Sequence, residues 1–240
     1  MHDSSDTISK ANVDQIITKY LASVESLGES IANLKGLGLL TALKRHAVGA
    51  GPYPEVTLFE AGNRIMTDLV IFYGVKWLLN HSAFPFESYT VDYGHGNKQG
   101  FDISARGNGR TLIGEAFNVA PAFFQIKKSS MLKKLRRPSS SADFKIVMFN
   151  QDAVGAAYVP KPLNNESFVV VEVGTGEARV IAGPLLATAN ADNNRVEQVA
   201  QLDRGRILDS ARRQVIAAAP GGGDEVVAAM QRLTYVKELT

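Results

Sequence analysis

The chain contains no cysteine, so disulfides, thiolate metal sites and a cysteine nucleophile are all excluded. Histidine is scarce as well. The four residues are scattered, His95 has no ligand partner nearby in sequence, and no Ser-His-Asp arrangement can be read from their order. No apolar passage escapes interruption by charge for the length of a membrane span. The opening residues, MHDSSDTISK, lack the charged-then-apolar layout of a signal peptide. A soluble, cytoplasmic protein with no membrane partner is the expectation. Glycines cluster in GHGNKQG (94–100) without the dinucleotide or P-loop spacing, and no internal repeat is visible.

What the sequence does hold is enough apolar material for a sizeable core. Its 240 residues, 45% hydrophobic, suit one large domain or a domain with an appendage. The formal net charge of +2 says nothing about partners, but its distribution does. Between Asn97 and Asn150 stand ten basic residues and three acids, so the rest of the chain is net acidic. Such a block is either a polyanion-facing surface or a solvated helix face.

Apolar residues at Val13, Ile17, Tyr20, Val24, Leu27, Ile31 and Leu34 alternate spacings of four and three, the seam of one long helix. It packs either on the body of the protein or on a second copy. A second helical passage covers Leu40–Val48. Glu55–Leu79 has helical periodicity with a mostly apolar surface and reads as a largely buried helix. Glu60, Arg64 and Asp68 share one of its faces as an ion-paired stripe or as part of a site. Phe86–Gly94 alternates like a strand. Pro121 starts a basic helix, AFFQIKKSSMLKKLRR, whose Phe123, Phe124, Met131 and Leu135 are expected to face the core. Phe144–Asn150 is a continuous apolar run, as expected of a buried parallel strand. FVVVEVGTGEARVIAG suggests a hairpin across Gly174–Gly176, and helices are expected at Val196–Ala219 and Glu225–Leu239. Boundaries are placed at 1–50 for a helical N-terminal extension, 51–155 for the core, and 156–240 for a C-terminal hairpin with helices.

The most informative stretch is GFDISARGNGRTLIGEAF, Gly100 to Phe117. Asn108-Gly109 is a strong signal for a type I′ turn, which needs positive φ at both central residues. With that pair as the loop, Gly107 faces Arg110 and Asp102 falls opposite Glu115. Ile103, Ala105, Leu112, Gly114 and Ala116 then form a small apolar face together with Phe101, while Asp102 and Glu115 share the other. A three-residue Gly-Asn-Gly loop would instead separate the acids. Carboxylates opposed across a ladder repel. In a partly buried site they persist with a bound proton, a nearby cation or a bridging divalent metal; on an exposed hairpin, Arg106 and Arg110 would relieve them. Hard oxygen ligands without cysteine select Mg²⁺ or Mn²⁺ over structural zinc.

This order of elements, with GFDI on the second strand of a meander and IGEAF on the third, resembles the PD-(D/E)xK nuclease superfamily. The resemblance covers roughly Glu55–Asn150. It implies an α/β fold with a restriction-endonuclease-like core, helix–three-strand meander–helix–strand. Helical N-terminal and α+β C-terminal additions would flank it. It further implies that Asp102 and Glu115 hold the metal, with Glu60 ahead of Asp68 as the acid from the first core helix. The motif lysine belongs two residues after Glu115, where this chain has Phe117. Some members carry the amine on the following helix, which implicates Lys127 or Lys128. Gln125 and Asn118 are weaker substitutes.

The expected function is therefore a Mg²⁺- or Mn²⁺-dependent endonuclease of the type II restriction kind, acting on double-stranded DNA as a homodimer. Its catalytic residues would be Asp102, Glu115, Glu60 and Lys127 or Lys128. Phosphate contacts would come from Lys98, Arg106, Arg110, Lys133, Lys134, Arg136 and Arg137. The alternative is a catalytically inactive nucleic-acid-binding or interaction module on the same fold.

Overall fold

The computed structural model describes residues 5–94 and 100–184. The chain divides into two units, Met1–Asn190 and Ala191–Thr240, and every described residue belongs to the first. His95, Lys98 and the two expected C-terminal helices lie outside the described residues.

The described unit is α/β, with a seven-stranded mixed sheet whose strands lie in sequence order. The strands are β1 (Ser5–Ser9), β2 (Ser88–Asp92), β3 (Ile103–Gly107), β4 (Arg110–Phe117), β5 (Phe144–Asn150), β6 (Glu166–Glu172) and β7 (Glu177–Ala182). The helices are α1 (Val13–Ile31), α2 (Gly36–Lys44), α3 (Leu58–Asn80) and α4 (Phe124–Leu135), the last entered through a 3₁₀ turn at Pro121–Phe123. β1 to β4 form an antiparallel meander, β5 and β6 add in parallel, and β7 returns antiparallel. From α3 to β5 the observed order is helix, three strands, helix, strand, as expected. The ends differ from expectation. The N-terminal segment opens with a strand that extends the sheet, and the β6–β7 hairpin continues the same sheet.

Two apolar clusters account for the layering. Leu112, Ile146, Met148, Val169 and Val171 pack beneath α3. Their alternate neighbours Phe117, Val147, Phe149, Phe168 and Val170 pack beneath α4. With both faces covered, β5 and β6 need apolar side chains at nearly every position, hence FKIVMF and FVVV. Gly74 brings α3 close to the sheet, because a Cβ there would collide with the Met148 side chain. The α1 seam belongs to the same core. Val13, Ile17, Tyr20 and Leu27 are buried within the chain, so this part of the seam packs on the body of the protein.

Charge also fastens the layers. Glu166 is 1% exposed, and Arg136 grips it with two hydrogen bonds, Nε to Oε1 at 2.6 Å and Nη2 to Oε2 at 2.8 Å. Burial alone would raise this carboxyl; Arg136 and the Leu163 N–H outweigh it and hold it below its ordinary value. Arg136 is thus committed to the fold and withdrawn from the expected phosphate contacts. Arg136→Ala should destabilise the protein by about 3 kcal/mol, the lower end for breaking a buried pair, because Arg136 keeps one side in water. A urea unfolding curve at neutral pH measures this, and Arg137→Ala should leave the midpoint nearly unchanged.

Candidate active site

The β3–β4 hairpin turns at Asn108 and Gly109 with φ of 53° and 70°, the double positive φ of a type I′ turn. The ladder pairs Gly107 with Arg110 and runs to Ile103 opposite Gly114, the register expected. One step further would place Asp102 across from Glu115, but β3 has already ended. The Ala116 N–H, which a longer β3 would have met with a carbonyl, is taken instead by Asp102 Oδ2 at 2.8 Å. The Asp102 carbonyl accepts the Asp92 N–H at 2.9 Å. Asp102 is therefore pinned at the strand end, bordering a cleft beside α3 with Ala116 and Asp68, rather than projecting from one face with Glu115. Phe101 also departs from the strict alternation and packs with the α4 cluster.

Glu115 is 2% exposed and points toward α4, where Lys134 Nζ lies 2.6 Å from Oε1. Burial pushes Glu115 up to about 7; the negative charge of Asp102 adds to this, and Lys134 and Lys127 oppose it. Asp102 is likewise raised by burial, against the Ala116 N–H and the two lysines. The two acids thus share one electrostatic site between two lysines. Among the described residues no group of three or more His, Asp or Glu is arranged to hold a metal ion. A carboxylate pair nonetheless suits Mg²⁺, which is usually held by one or two carboxylates with water and substrate oxygens completing the shell. A buried acid raised by a half-buried neighbouring carboxylate is also the donor set that a divalent cation relieves.

The helical repeat explains which lysines arrive. Lys127, Met131 and Lys134 share one face of α4 at spacings of four and three. Lys127 reaches the cleft and Lys134 the Glu115 carboxylate. Lys128, one residue on, is rotated away: its Nζ donates to Tyr158 Oη at 3.1 Å over the Phe124 and Tyr158 rings. It is not part of the site. Phe117, at the lysine position of the resembling motif, is 1% exposed and stacks on Phe149 with centroids 5.7 Å apart. That ring anchors the α4 layer, and the amine paired with Glu115 is that of Lys134.

Of the two α3 acids, Asp68 is buried and Glu60 half exposed, and both border the cleft. Glu60 is paired with Arg64, as the ion-paired stripe anticipated, and Arg64 also borders the cleft. Asp68 is 2% exposed. Its Oδ2 accepts the hydroxyl of Tyr20 at 2.5 Å and that of Tyr53, and its Oδ1 accepts the Gly94 N–H at 3.2 Å. Burial pushes Asp68 up to about 6 against these donors, with Asp102 adding to the rise. The tyrosines are shifted upward by burial and by Asp68, so they remain donors. The cleft enclosed by α3, Tyr93, Asp102, Ala116 and Lys127 is about 370 Å³. Asn150, buried at the end of β5, holds the wall where β4 leaves for α4. Its Oδ1 accepts the Val119 N–H at 2.9 Å and its Nδ2 donates to the Val119 carbonyl at 3.0 Å.

The remaining expected contacts are dispersed. Arg106 and Arg110 sit by the hairpin tip, at the opposite end of the ladder from the acids. Arg110 pairs there with Asp143 at 3.6 Å. Lys133 and Gln125 are exposed on α4, and Arg137 is exposed just past its end. Asn118 borders the cleft. Phe123, expected in the core, is 63% exposed. No helix of the described residues is long and apolar enough to cross a membrane.

No family model matches this chain, and neither does any curated protein or solved structure.

The raised carboxyls give the site a pH signature. A folded Glu115 near 7 binds a proton that the unfolded chain, near 4.5, has already released. Its contribution is fully present below the unfolded value and is lost as pH rises toward 7, a loss on the order of 1–3 kcal/mol. Asp68, near 6, adds in the same direction. Metal-free protein should therefore melt lower at pH 8 than at pH 5.5. Glu115→Gln should flatten this slope in thermal denaturation, and an unchanged slope would refute the raised carboxyl.

Proposed function

We propose that the protein is a divalent-metal-dependent phosphodiester hydrolase acting on nucleic acid, with DNA as the substrate, on a restriction-endonuclease-like core. The single observation that carries this reading is the pair of acids, half-buried Asp102 and buried Glu115, bracketed by Lys127 and Lys134 at a strand end that borders an open cleft. Topology supports it too, since α3 through β5 follow the element order of the superfamily the sequence resembles.

Asp102 and Glu115 would hold Mg²⁺ or Mn²⁺, which when bound neutralises the scissile phosphate and lowers the pKa of water. The chain's own groups do the rest. Ala116 N–H fixes the Asp102 carboxylate, leaving its other oxygen for the site. Lys134 opposes the rise of Glu115 and would stabilise negative charge growing on the phosphate oxygens, the role that Phe117 does not serve. Lys127, bordering the cleft, attracts and orients the phosphate. Asp68, locked by Tyr20 and Tyr53, holds the far wall and adds negative charge that favours a cation.

One observation favours a second reading. Phe117 fills the motif lysine's place with a core aromatic, as a non-catalytic nucleic-acid-binding module on the same fold would allow. Cleavage of plasmid and oligonucleotide DNA in Mg²⁺ or Mn²⁺ separates the two. Glu115→Ala should abolish cleavage, Lys134→Ala should lower kcat by about 10²–10³, and Lys128→Ala should change it little. No cleavage of any DNA or RNA by the wild type, with binding intact, would establish the second reading.

A further inference from the structure

The outer stripe of α4 is unlike its inner faces. Phe123, Ile126, Ser130, Lys133 and Arg137 recur at spacings of three and four, and all are exposed. At the end near the cleft the stripe is apolar, with Phe123 63% and Ile126 73% exposed. Phe123 stands one turn before Lys127, which borders the cleft. At the far end are Lys133 and Arg137, which make no ion pair among the described residues, whereas Lys134 and Arg136 are engaged with Glu115 and Glu166. From Asn118 to Ala142 the chain carries six basic residues and no acid.

Resting on the nucleic-acid reading above, we infer that this stripe binds a nucleic-acid strand whose bases are unpaired where it enters the cleft. Phe123 and Ile126 form the platform on which exposed bases stack, and Lys133 and Arg137 hold phosphates further along. An aromatic ring and a branched aliphatic side chain in water offer nothing to the phosphate wall of an intact duplex. They fit the π-face of an unstacked base, which is the sequence-tolerant element of single-strand binding. The stripe extends about 15 Å from Phe123 to Lys133, with Arg137 just past the helix end, room for several nucleotides. The charge is complementary throughout, with cations free along the stripe and no carboxylate on the segment. An anionic membrane is the less suitable occupant. The helix buries Phe124 and Leu135 in its own core, so it shows two apolar side chains rather than the continuous apolar face an interfacial helix inserts.

Fluorescence anisotropy of the full-length protein in EDTA tests this. The probes are a labelled oligo(dT) strand, the same strand annealed to oligo(dA), and phosphatidylserine vesicles. The wild type should bind the single strand more tightly than the duplex. Phe123→Ala/Ile126→Ala should weaken single-strand binding roughly tenfold or more, with duplex affinity and salt dependence little changed. Lys133→Gln/Arg137→Gln should reduce the salt slope on the single strand by about 1.4, at ~0.7 per phosphate contact. Since all four side chains are exposed, the melting temperature should stay at the wild-type value in both variants. Equal single-strand affinity in the Phe123/Ile126 variant overturns the inference, as does a wild-type preference for duplex. Vesicle binding that depends on Phe123, without strand binding, overturns it in favour of a membrane. The two proposals fail separately. Cleavage that is insensitive to Phe123→Ala/Ile126→Ala on single strands sinks the stripe and keeps the hydrolase. Phe123-dependent strand binding with no cleavage in Mg²⁺ or Mn²⁺ keeps the stripe and sinks the hydrolase.

Discussion

Glu115 is buried and Asp102 half-buried at one strand end, and the electrostatic cost of that arrangement organises what surrounds it. An isolated buried carboxylate would take up a proton. Here the penalty is met in part by a backbone N–H for Asp102 and by the Lys134 ammonium for Glu115. Both acids remain raised above their ordinary values, so the compensation is incomplete. The proposed divalent cation would complete that compensation. The strand end supplies this geometry because β3 stops one residue early. Asp102 can then take the Ala116 N–H with its side chain instead of continuing the ladder.

The same constraint links the two helical layers. α4 has to lie on β4 with its Lys127–Lys134 face toward the acids, and Phe117, Phe124, Phe149 and Tyr158 set that placement by ring packing. Phe117 gives up the amine of the resembling motif and gains the anchor that brings Lys134 to Glu115. On the opposite face α3 carries Asp68 into the cleft wall. Tyr20 from α1 and Tyr53 from the segment before α3 both donate to it, so the N-terminal helix contributes to the site's stability without touching the acids. Asn150 completes the frame by fastening the β4–α4 connection.

Much of this was legible in the residues. The Asn108-Gly109 pair favoured the two-residue loop and its register, with the three-residue Gly-Asn-Gly loop the alternative, and the continuous apolar run of Phe144–Asn150 marked a strand covered on both faces. Three features were hidden for physical reasons. Alternation predicts side-chain direction only within a ladder, so the early end of β3 moved Asp102 off the face it was expected to share. Burial depends on what packs above a helix, so the α3 stripe was read with Glu60 ahead of Asp68, although Glu60 is half exposed and Asp68 buried. A block of lysines carries no mark of which one meets an acid. The helical repeat, counted from Lys127, would have paired it with Lys134 and turned Lys128 aside. The β1 strand gave little signal, since SDTIS is short, polar and lacks strict alternation.

The central claim is that Asp102 and Glu115 together form a divalent-cation site. Electron paramagnetic resonance of Mn²⁺ titrated into the full-length protein near pH 8 counts that site directly. The account predicts one bound Mn²⁺ per chain, lost in Asp102→Asn and in Glu115→Gln and retained in Glu60→Gln. Stoichiometric Mn²⁺ binding that survives both Asp102→Asn and Glu115→Gln, or no binding by the wild type, would contradict it.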